Sequence, residues 1–254
     1  MRTLLFLLLL LPLCAAPPPG GAGGGSRAFR SNPPAAPAAP ASFPSGATHY
    51  WNLDEVSGTR DDAVGSTDLD EVTAVASGTG KDGNACQFDW NGSAFGSLSD
   101  GVNISIPSAY SLCAWFKFSA IDANQTFTVL GTSLGDAFMF GITYEAAGAD
   151  TVVFDYQEEG ALVHSITADT DWHLICVTAT GTTVTIYLDG ASVATDTGAT
   201  IDFSDWDAFT ITSSNSGTMS GTVGLLDEVS FFDRALTPTE VSDMWNGGTG
   251  TFGP

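Results

Sequence analysis

WHLICVTATGTTVTIYLDG, residues 172–190, sets two arms of strand length around the turn Thr180-Gly181-Thr182. In the first arm Leu174, Cys176 and Thr178 alternate with His173, Ile175 and Val177. In the second, Val184, Ile186 and Leu188 alternate with Thr185, Tyr187 and Asp189. β-Branched and aromatic residues dominate both arms, and Asp189-Gly190 ends the second with a strong turn signal. Both faces of the first arm are largely apolar, which places this hairpin inside a sandwich rather than at its rim.

Outward from the hairpin, strand-like segments recur about every ten residues, separated by Gly, Asp, Asn and Ser. They are residues 111–118 (SLCAWFKF), 127–130, 137–144, 151–156, 162–167, 209–212 and 223–232. This is the pattern of an all-β protein, a two-sheet antiparallel jelly-roll sandwich, and no solenoid-length repeat interrupts it. One short C-terminal helix is predicted, with Thr237 as N-cap, Pro238 as first helical residue, Glu240 as capping-box partner and Gly247 as C-cap. Val241, Met244 and Trp245, at i, i+3 and i+4, give it one apolar face, so Trp245 reads as core.

Residues 1–16 carry Arg2, an apolar run from Leu4 to Leu13 and the small Ala15 and Ala16. Ten apolar residues are too few for a bilayer, which needs about twenty, and fit a secretory signal peptide. Leu11-Pro12-Leu13-Cys14 leaves lipid attachment at Cys14 as the alternative. Residues 17–46 are Pro, Ala, Gly and Ser with Arg27 and Arg30, a composition that cannot offset its ordering entropy and reads as a disordered tether. The domain is then residues 47–254, about 208 residues, the size of one large sandwich.

That domain sets four basic side chains, Arg60, Lys81, Lys117 and Arg234, against all 29 acidic residues, a net charge near −25. Nucleic acid and anionic membrane surfaces are poor partners for it, and cations are better ones. The acidity equally serves solubility in a salty extracellular medium.

The hairpin resembles that of laminin-G-like and pentraxin-like jelly rolls in the concanavalin A-like lectin/glucanase superfamily. Tyr50-Trp51-Asn52-Leu53-Asp54-Glu55 resembles their opening strand, and Gly80-Lys81-Asp82-Gly83-Asn84-Ala85-Cys86-Gln87-Phe88-Asp89 their next. Gly224-Leu225-Leu226-Asp227-Glu228-Val229-Ser230-Phe231-Phe232-Asp233-Arg234-Ala235-Leu236, then the capped helix, resembles their C-terminal signature. The ordered set covers most of residues 50–248. By this resemblance Cys113 and Cys176, 63 positions apart, form the disulfide of pentraxins, a bond that secretion permits, and Cys86 stays unpaired as a small buried hydrophobe. The resemblance also implies one structural Ca2+ ion held by Asp62, Asp68 and Asp227, oxygen ligands of the type calcium takes. The alternative is that these aspartates form turns and caps without metal. The pentraxin double-calcium site is not implied, because residues 213–221 contain no carboxylate.

Hydrolases of this fold need two carboxylates on one strand face. Asp68-Leu69-Asp70-Glu71 alternates in that way but stands near the N-terminus and reads as loop or cation site. His49, His164 and His173 are scattered, and no Ser-His-Asp order, phosphate loop or zinc spacing emerges. No catalytic residue is assigned. Trp90 and Trp206, in the polar turns Asp89-Trp90-Asn91 and Asp205-Trp206-Asp207, are the ligand-binding candidates, either as lids over the sandwich end or as stacking platforms for a sugar. Three Asn-x-Ser/Thr acceptors begin at Asn91, Asn103 and Asn124. The expectation is a secreted or surface-displayed, non-catalytic, carbohydrate-binding or adhesive module. The alternatives are an assembly protein whose jelly roll contacts extracellular protein, and a glycan-cleaving enzyme.

Overall fold

The computed structural model describes residues 40–89, 96–100, 104–119, 125–130, 139–144, 150–155, 161–167, 169–199, 209–212 and 222–253. The expected signal peptide, most of the expected tether, Trp90, Trp206, the asparagines of the three Asn-x-Ser/Thr sites and the 213–221 loop lie outside them. Fifteen strands appear among the described residues: β1 (Ala47–Trp51), β2 (Asp70–Thr73), β3 (Ala76–Thr79), β4 (Asn84–Asp89), β5 (Ser97–Ser99), β6 (Ala109–Phe118), β7 (Gln125–Leu130), β8 (Met139–Tyr144), β9 (Asp150–Asp155), β10 (Ala161–Ile166), β11 (His173–Thr180), β12 (Thr183–Leu188), β13 (Ala191–Asp196), β14 (Thr210–Thr212) and β15 (Thr222–Phe232). They form two antiparallel sheets. The eight-stranded sheet runs β13-β12-β11-β6-β15-β4-β3, with β1 also on β15, and the seven-stranded sheet runs β10-β9-β8-β7-β14-β5-β2.

The hairpin lies where its two-faced apolar pattern requires. β11 is flanked by β12 and β6, and Leu174 to Ala179 are all buried. Ile175 and Val177 face the seven-stranded sheet, while Leu174 and Cys176 face the other way. The turn is Gly181-Thr182, tighter than the sequence suggested, with Thr180 paired to Thr183. Asp189 and Gly190 both have positive φ, 52° and 78°, the backbone of a type I′ hairpin turn. Any side chain at Gly190 would also meet Cβ of Trp245 at 3.0 Å and Cα of Ser242 at 3.1 Å, so glycine lets this turn seat against the helix.

Between the sheets lies an aromatic core that includes Trp51, Phe116, Phe154, Phe209 and Phe231. Trp51 of the eight-stranded sheet stacks on Phe209, just before β14, at 4.8 Å between ring centroids. A second cluster covers the outer face of the eight-stranded sheet: Cys113, Trp115, Leu174, Cys176, Tyr187 and Phe232 lie under Leu236, Val241 and Met244. The lid is α1 (Pro238–Trp245), with the expected box: Thr237 Oγ1 accepts from Glu240 N at 3.3 Å and Glu240 Oε2 accepts from Thr237 N at 2.8 Å. Burying Val241 and Met244 contributes about 1.5–3 kcal/mol each. The C-cap is Asn246, in the left-handed region at φ 46°, rather than Gly247. Asparagine tolerates that conformation, and Gly247 takes it as well.

The tether expected over residues 17–46 is described only from Pro40, and its end belongs to the domain. Phe43 packs edge-on against Tyr50 at 5.3 Å and beside Phe232 at 5.8 Å, and Ser45 O accepts from Arg234 Nη2 at 2.8 Å. One aromatic in a Pro/Ala-rich run suffices to dock it. β15 is shared by two neighbours: its first half pairs with β4 and its second with β1. The register shifts between them, and Glu228 sits there at φ 55°. A bulge of this kind re-aims side chains.

Candidate functional site

The bulge and the loop after β1 hold the three aspartates expected to bind calcium. Asp62 is saturated by its own chain. Its Oδ1 accepts from the amides of Tyr50, Val64 and Gly65 (3.0, 3.2 and 2.8 Å), and its Oδ2 from Thr67 N at 3.1 Å and against His49 Nδ1 at 2.6 Å. Asp68 joins it through Oδ1, which accepts from Asp62 N at 2.9 Å. Asp227 makes its bonds elsewhere: Oδ2 accepts from Lys81 N and Asp82 N (2.7 and 3.2 Å), and Oδ1 from Glu228 N at 3.1 Å. Among the described residues no group of three or more His, Cys, Asp or Glu is placed to hold a metal ion. As placed, these oxygens anchor turns of their own chain.

Asp68-Leu69-Asp70-Glu71 lies in a turn and the edge strand β2, with its carboxylates bonded within the chain. Asp70 Oδ1 accepts from Thr59 Oγ1 at 2.8 Å, while the Glu71 oxygens accept from Gly58 N and Val75 N at 2.9 and 3.2 Å. Glu71 also faces Arg60, which is wholly buried. Arg60 donates Nε to Cys86 Sγ at 3.1 Å and Nη1 to Gly58 O, and lies 3.7 Å from Glu71. Cys86 is free and buried, and burial pushes its thiol up to about 11 against the pull of Arg60. Asp227 and Glu228 are the buried acids. Desolvation raises both to about 8, for Asp227 against three amide donors and with Asp54 adding to the rise. Both are closed off from solvent.

His173, read from sequence only as part of the hairpin motif, is held by two carboxylates. Nδ1 lies 2.8 Å from Asp189 Oδ2 and Nε2 lies 2.9 Å from Asp169 Oδ1. The ring stacks on Phe116 at 5.5 Å. The Asp189 bond lifts its pKa, partial burial opposes, and Asp169 adds to the rise, giving about 9. At neutral pH it is an imidazolium with both N–H groups donated, so it cannot serve as a general base. Beside it, at the end of the sandwich, a small concavity is lined by Phe116, Phe118, Ile166, Thr167, Asp169, His173 and Leu188.

The seven-stranded sheet offers a different surface. Ser97, Ser99 and Thr210 are half-buried, and Ala161, Val163 and Ser165 are exposed. These positions alternate with the core residues Leu98, Ile211 and Leu162, so they lie on the sheet's outer side. The register carries one row across six strands, Ser97-Thr212-Thr128-Gly141-Val153-Val163. A second row is Thr126-Thr143-Thr151-Ser165. Neither contains a charged residue, while the row next to the first does: Asp70 pairs with Ser99 and Asp155 with Ala161.

With two antiparallel sheets, a capped C-terminal helix and this strand order on view, comparison with known proteins decides the family. A laminin-G model of the concanavalin A-like lectin/glucanase superfamily matches residues 91–242, more than half of the chain. The chain belongs to that superfamily. No curated protein matches it by sequence. Among solved structures, this superfamily member is similar to the binding domain of botulinum neurotoxin serotype D/C, with a TM-score of 0.60 at 12% identity over 80% of this chain and 52% of that one. It is similar to domain 4 of AbnA, an extracellular arabinanase of Geobacillus stearothermophilus solved with arabinotriose, with a TM-score of 0.57 at 18% identity over 78% and 97%. It is also similar to a Trypanosoma rangeli sialidase, with a TM-score of 0.60 at 12% identity over 82% and 34%. The chain spans about half the length of the neurotoxin structures and a third of the sialidase. At these identities the likeness is one of fold.

Proposed function

We propose that the chain is an extracellular, non-catalytic binding module for uncharged glycans, working through the outer side of the seven-stranded sheet. The observation that carries this reading is the pair of Ser, Thr, Gly and Val rows lying uncharged beside Asp70 and Asp155 of the same face, on a domain otherwise crowded with acids. Small hydroxyls at strand spacing, about 4.8 Å across and about 6.8 Å along, can exchange hydrogen bonds with sugar hydroxyls. One neighbour in fold supports the ligand class: the AbnA domain was solved with arabinotriose. The non-catalytic half of the reading is supported by the carboxylates themselves: Asp62, Glu71 and Asp227 are bonded to backbone amides, and Asp227 and Glu228 are sealed from solvent. The Cys113–Cys176 disulfide favours an oxidising, extracellular setting. Among the described residues no helix is long and apolar enough to cross a membrane.

A glycan array tests the proposal. Wild-type protein should retain neutral polysaccharides, and Val163→Arg with Thr210→Arg should weaken retention at least tenfold while leaving Tm within a few degrees. Unchanged retention by that variant, together with loss on Trp90→Ala and Trp206→Ala, would move the site to the loops. A blank array would favour the assembly reading, for which one observation speaks: β10 is a sheet edge, Ala161-Leu162-Val163-His164-Ser165-Ile166, without Asp, Glu, Lys or Arg. Such an edge can pair with another strand.

A further inference from the structure

We infer that β10 pairs antiparallel with the β10 of a second copy, joining two seven-stranded sheets into one across a two-fold axis. The pairing stands apart from the glycan reading, although it lengthens the face that reading uses.

Among the described residues β10 pairs only with β9, and the other strands with one side unpaired are β1, β2, β3 and β13. Each of those four is blunted. β2 carries Asp70 and Glu71, bonded to Thr59 Oγ1 and Gly58 N of the segment alongside, where Arg60 bridges to Leu69. At β1, Tyr50 O accepts from Ala63 N and Tyr50 N donates to Asp62 Oδ1. β3 has four residues, Gly78 among them. β13 shifts register against β12 and ends in Asp196. Charges, bulges, shortness and covering segments keep sheet edges from pairing. β10 has none of these. It runs six residues in unbroken register with β9, without Gly, Pro, Asp, Glu, Lys or Arg. Ala161, Val163 and Ser165 are exposed, Val163 at 49%.

Charge selects a second copy as the occupant. The chain carries −22, so two copies repel except where the contact is free of acids, as at β10. Asp155 and Asp150 pair with Ala161 and Ile166 one strand further in. Two strand spacings, about 10 Å, then separate them from the partner's β10, beyond the screening length of about 8 Å at physiological salt. Glu158 and Glu159 precede the strand, outside the described residues. The chain's own segment before Pro40 is a poor occupant: five of the thirteen residues in its proline-free stretch, 20–32, are glycine, which is depleted in strands. A strand paired with itself is complementary by construction, the isologous contact of a two-fold dimer. Alternation restricts the register, because outer-side Ala161, Val163 and Ser165 must oppose outer-side residues. Only dyads at Val163 or His164 then align five of the six residues. Either dyad sets an uncharged row of one copy, ending at Val163 or Ser165, end to end with one of the other.

Sedimentation equilibrium of the full chain is the test. A reversible monomer–dimer equilibrium at micromolar concentration is expected, and it should tighten as salt is raised, because screening weakens the repulsion between two acidic chains. Val163→Glu with Ser165→Glu, both at exposed positions, sets like charges opposite one another in either register. It should raise the dissociation constant at least tenfold with Tm within a few degrees. Of Val163→Cys and His164→Cys, the one on the dyad should form an intermolecular disulfide under mild oxidation. A chain that stays monomeric, a dimer that loosens with salt or survives the double glutamate variant, or cross-linking by neither cysteine would overturn the pairing. Monomers whose β10 amides exchange slowly would also overturn it, by showing that another part of the chain covers the edge. A dimer with a blank glycan array would uphold the pairing and remove the outer-face reading.

Discussion

Cys113 and Cys176 stand directly opposite one another on β6 and β11, their Cα atoms 4.1 Å apart and their sulfurs bonded. The pair is buried beneath α1 with Trp115 and Met244. The bond joins two central strands of the eight-stranded sheet and closes a loop of 63 positions.

Closing a loop of that length stabilises by about 4 kcal/mol in the chain-entropy model. Cys113→Ala with Cys176→Ala should lower the unfolding free energy by about that much and shift the urea midpoint accordingly. A loss below about 1 kcal/mol would show that the reduced, unfolded chain is already constrained.

Arg60 should prove the costliest single charge to remove. Its guanidinium reaches Cys86, Gly58 and Glu71 from a wholly buried position. Arg60→Ala should cost about 3–5 kcal/mol, as for breaking a buried pair. Arg60→Lys should recover little of it, because one ammonium cannot replace the guanidinium fork. Chemical denaturation of both variants reads this directly, and near-equality of Arg60→Lys with wild type would count against it.

Stability should fall on the alkaline side. His173 is raised from 6.5 to about 9, so its contribution is whole below pH 6.5 and is lost as pH rises through about 9. Buried Asp227 and Glu228 stay protonated in the fold up to about 8, while their unfolded counterparts ionise near 3.8 and 4.5. Between those values rising pH also favours unfolding. Glu240 acts oppositely: its bond to Arg234 holds it at about 2, so its contribution is present above 4.5 and lost as pH falls towards 2. Calorimetry across pH 3–9.5 should find Tm highest in the mildly acidic range. His173→Gln should flatten the part of the decline between 6.5 and 9, and a Tm that rises from pH 6 to 9 would contradict the assignment.

Chelation separates turn anchoring from metal binding at the first-strand loop. With five contacts from chain donors to one carboxylate, Asp62→Ala should lower stability by more than about 3 kcal/mol. EDTA should leave the wild-type Tm unchanged. A fall of several degrees in EDTA, reversed by calcium, would restore the metal reading for Asp62, Asp68 and Asp227.

Features that follow a local period were legible in the sequence. The two-faced pattern of Leu174 to Ala179 announced an internal strand, and Thr237-Pro238-Thr239-Glu240 announced a capped helix, because each depends on neighbours a few residues away. The short strands β2, β3 and β5 escaped notice, since three or four residues show little alternation. Arg60 was unreadable for a different reason: a lone arginine in a polar loop looks solvated until the fold brings Cys86 and Glu71 around it. The concavity beside His173 draws on β6, β10, β11 and β12, so its residues converge only in three dimensions. His173 was noticed as part of a motif, while Asp169 and Thr167 carried no signal. Trp90 and Trp206 fall outside the described residues.

Tyr50 is where the two ends of the domain come together. Its ring receives Phe43 at 5.3 Å, and its hydroxyl accepts from Gly253 N at 2.9 Å, while Lys81 Nζ pins the last stretch through Gly248 O at 2.6 Å. A fold whose first and last residues share one anchor behaves as a cassette. It can be spliced into a surface loop of a host protein through two adjacent strands of chain, or have its ends joined and be reopened elsewhere, with little disturbance to either sheet.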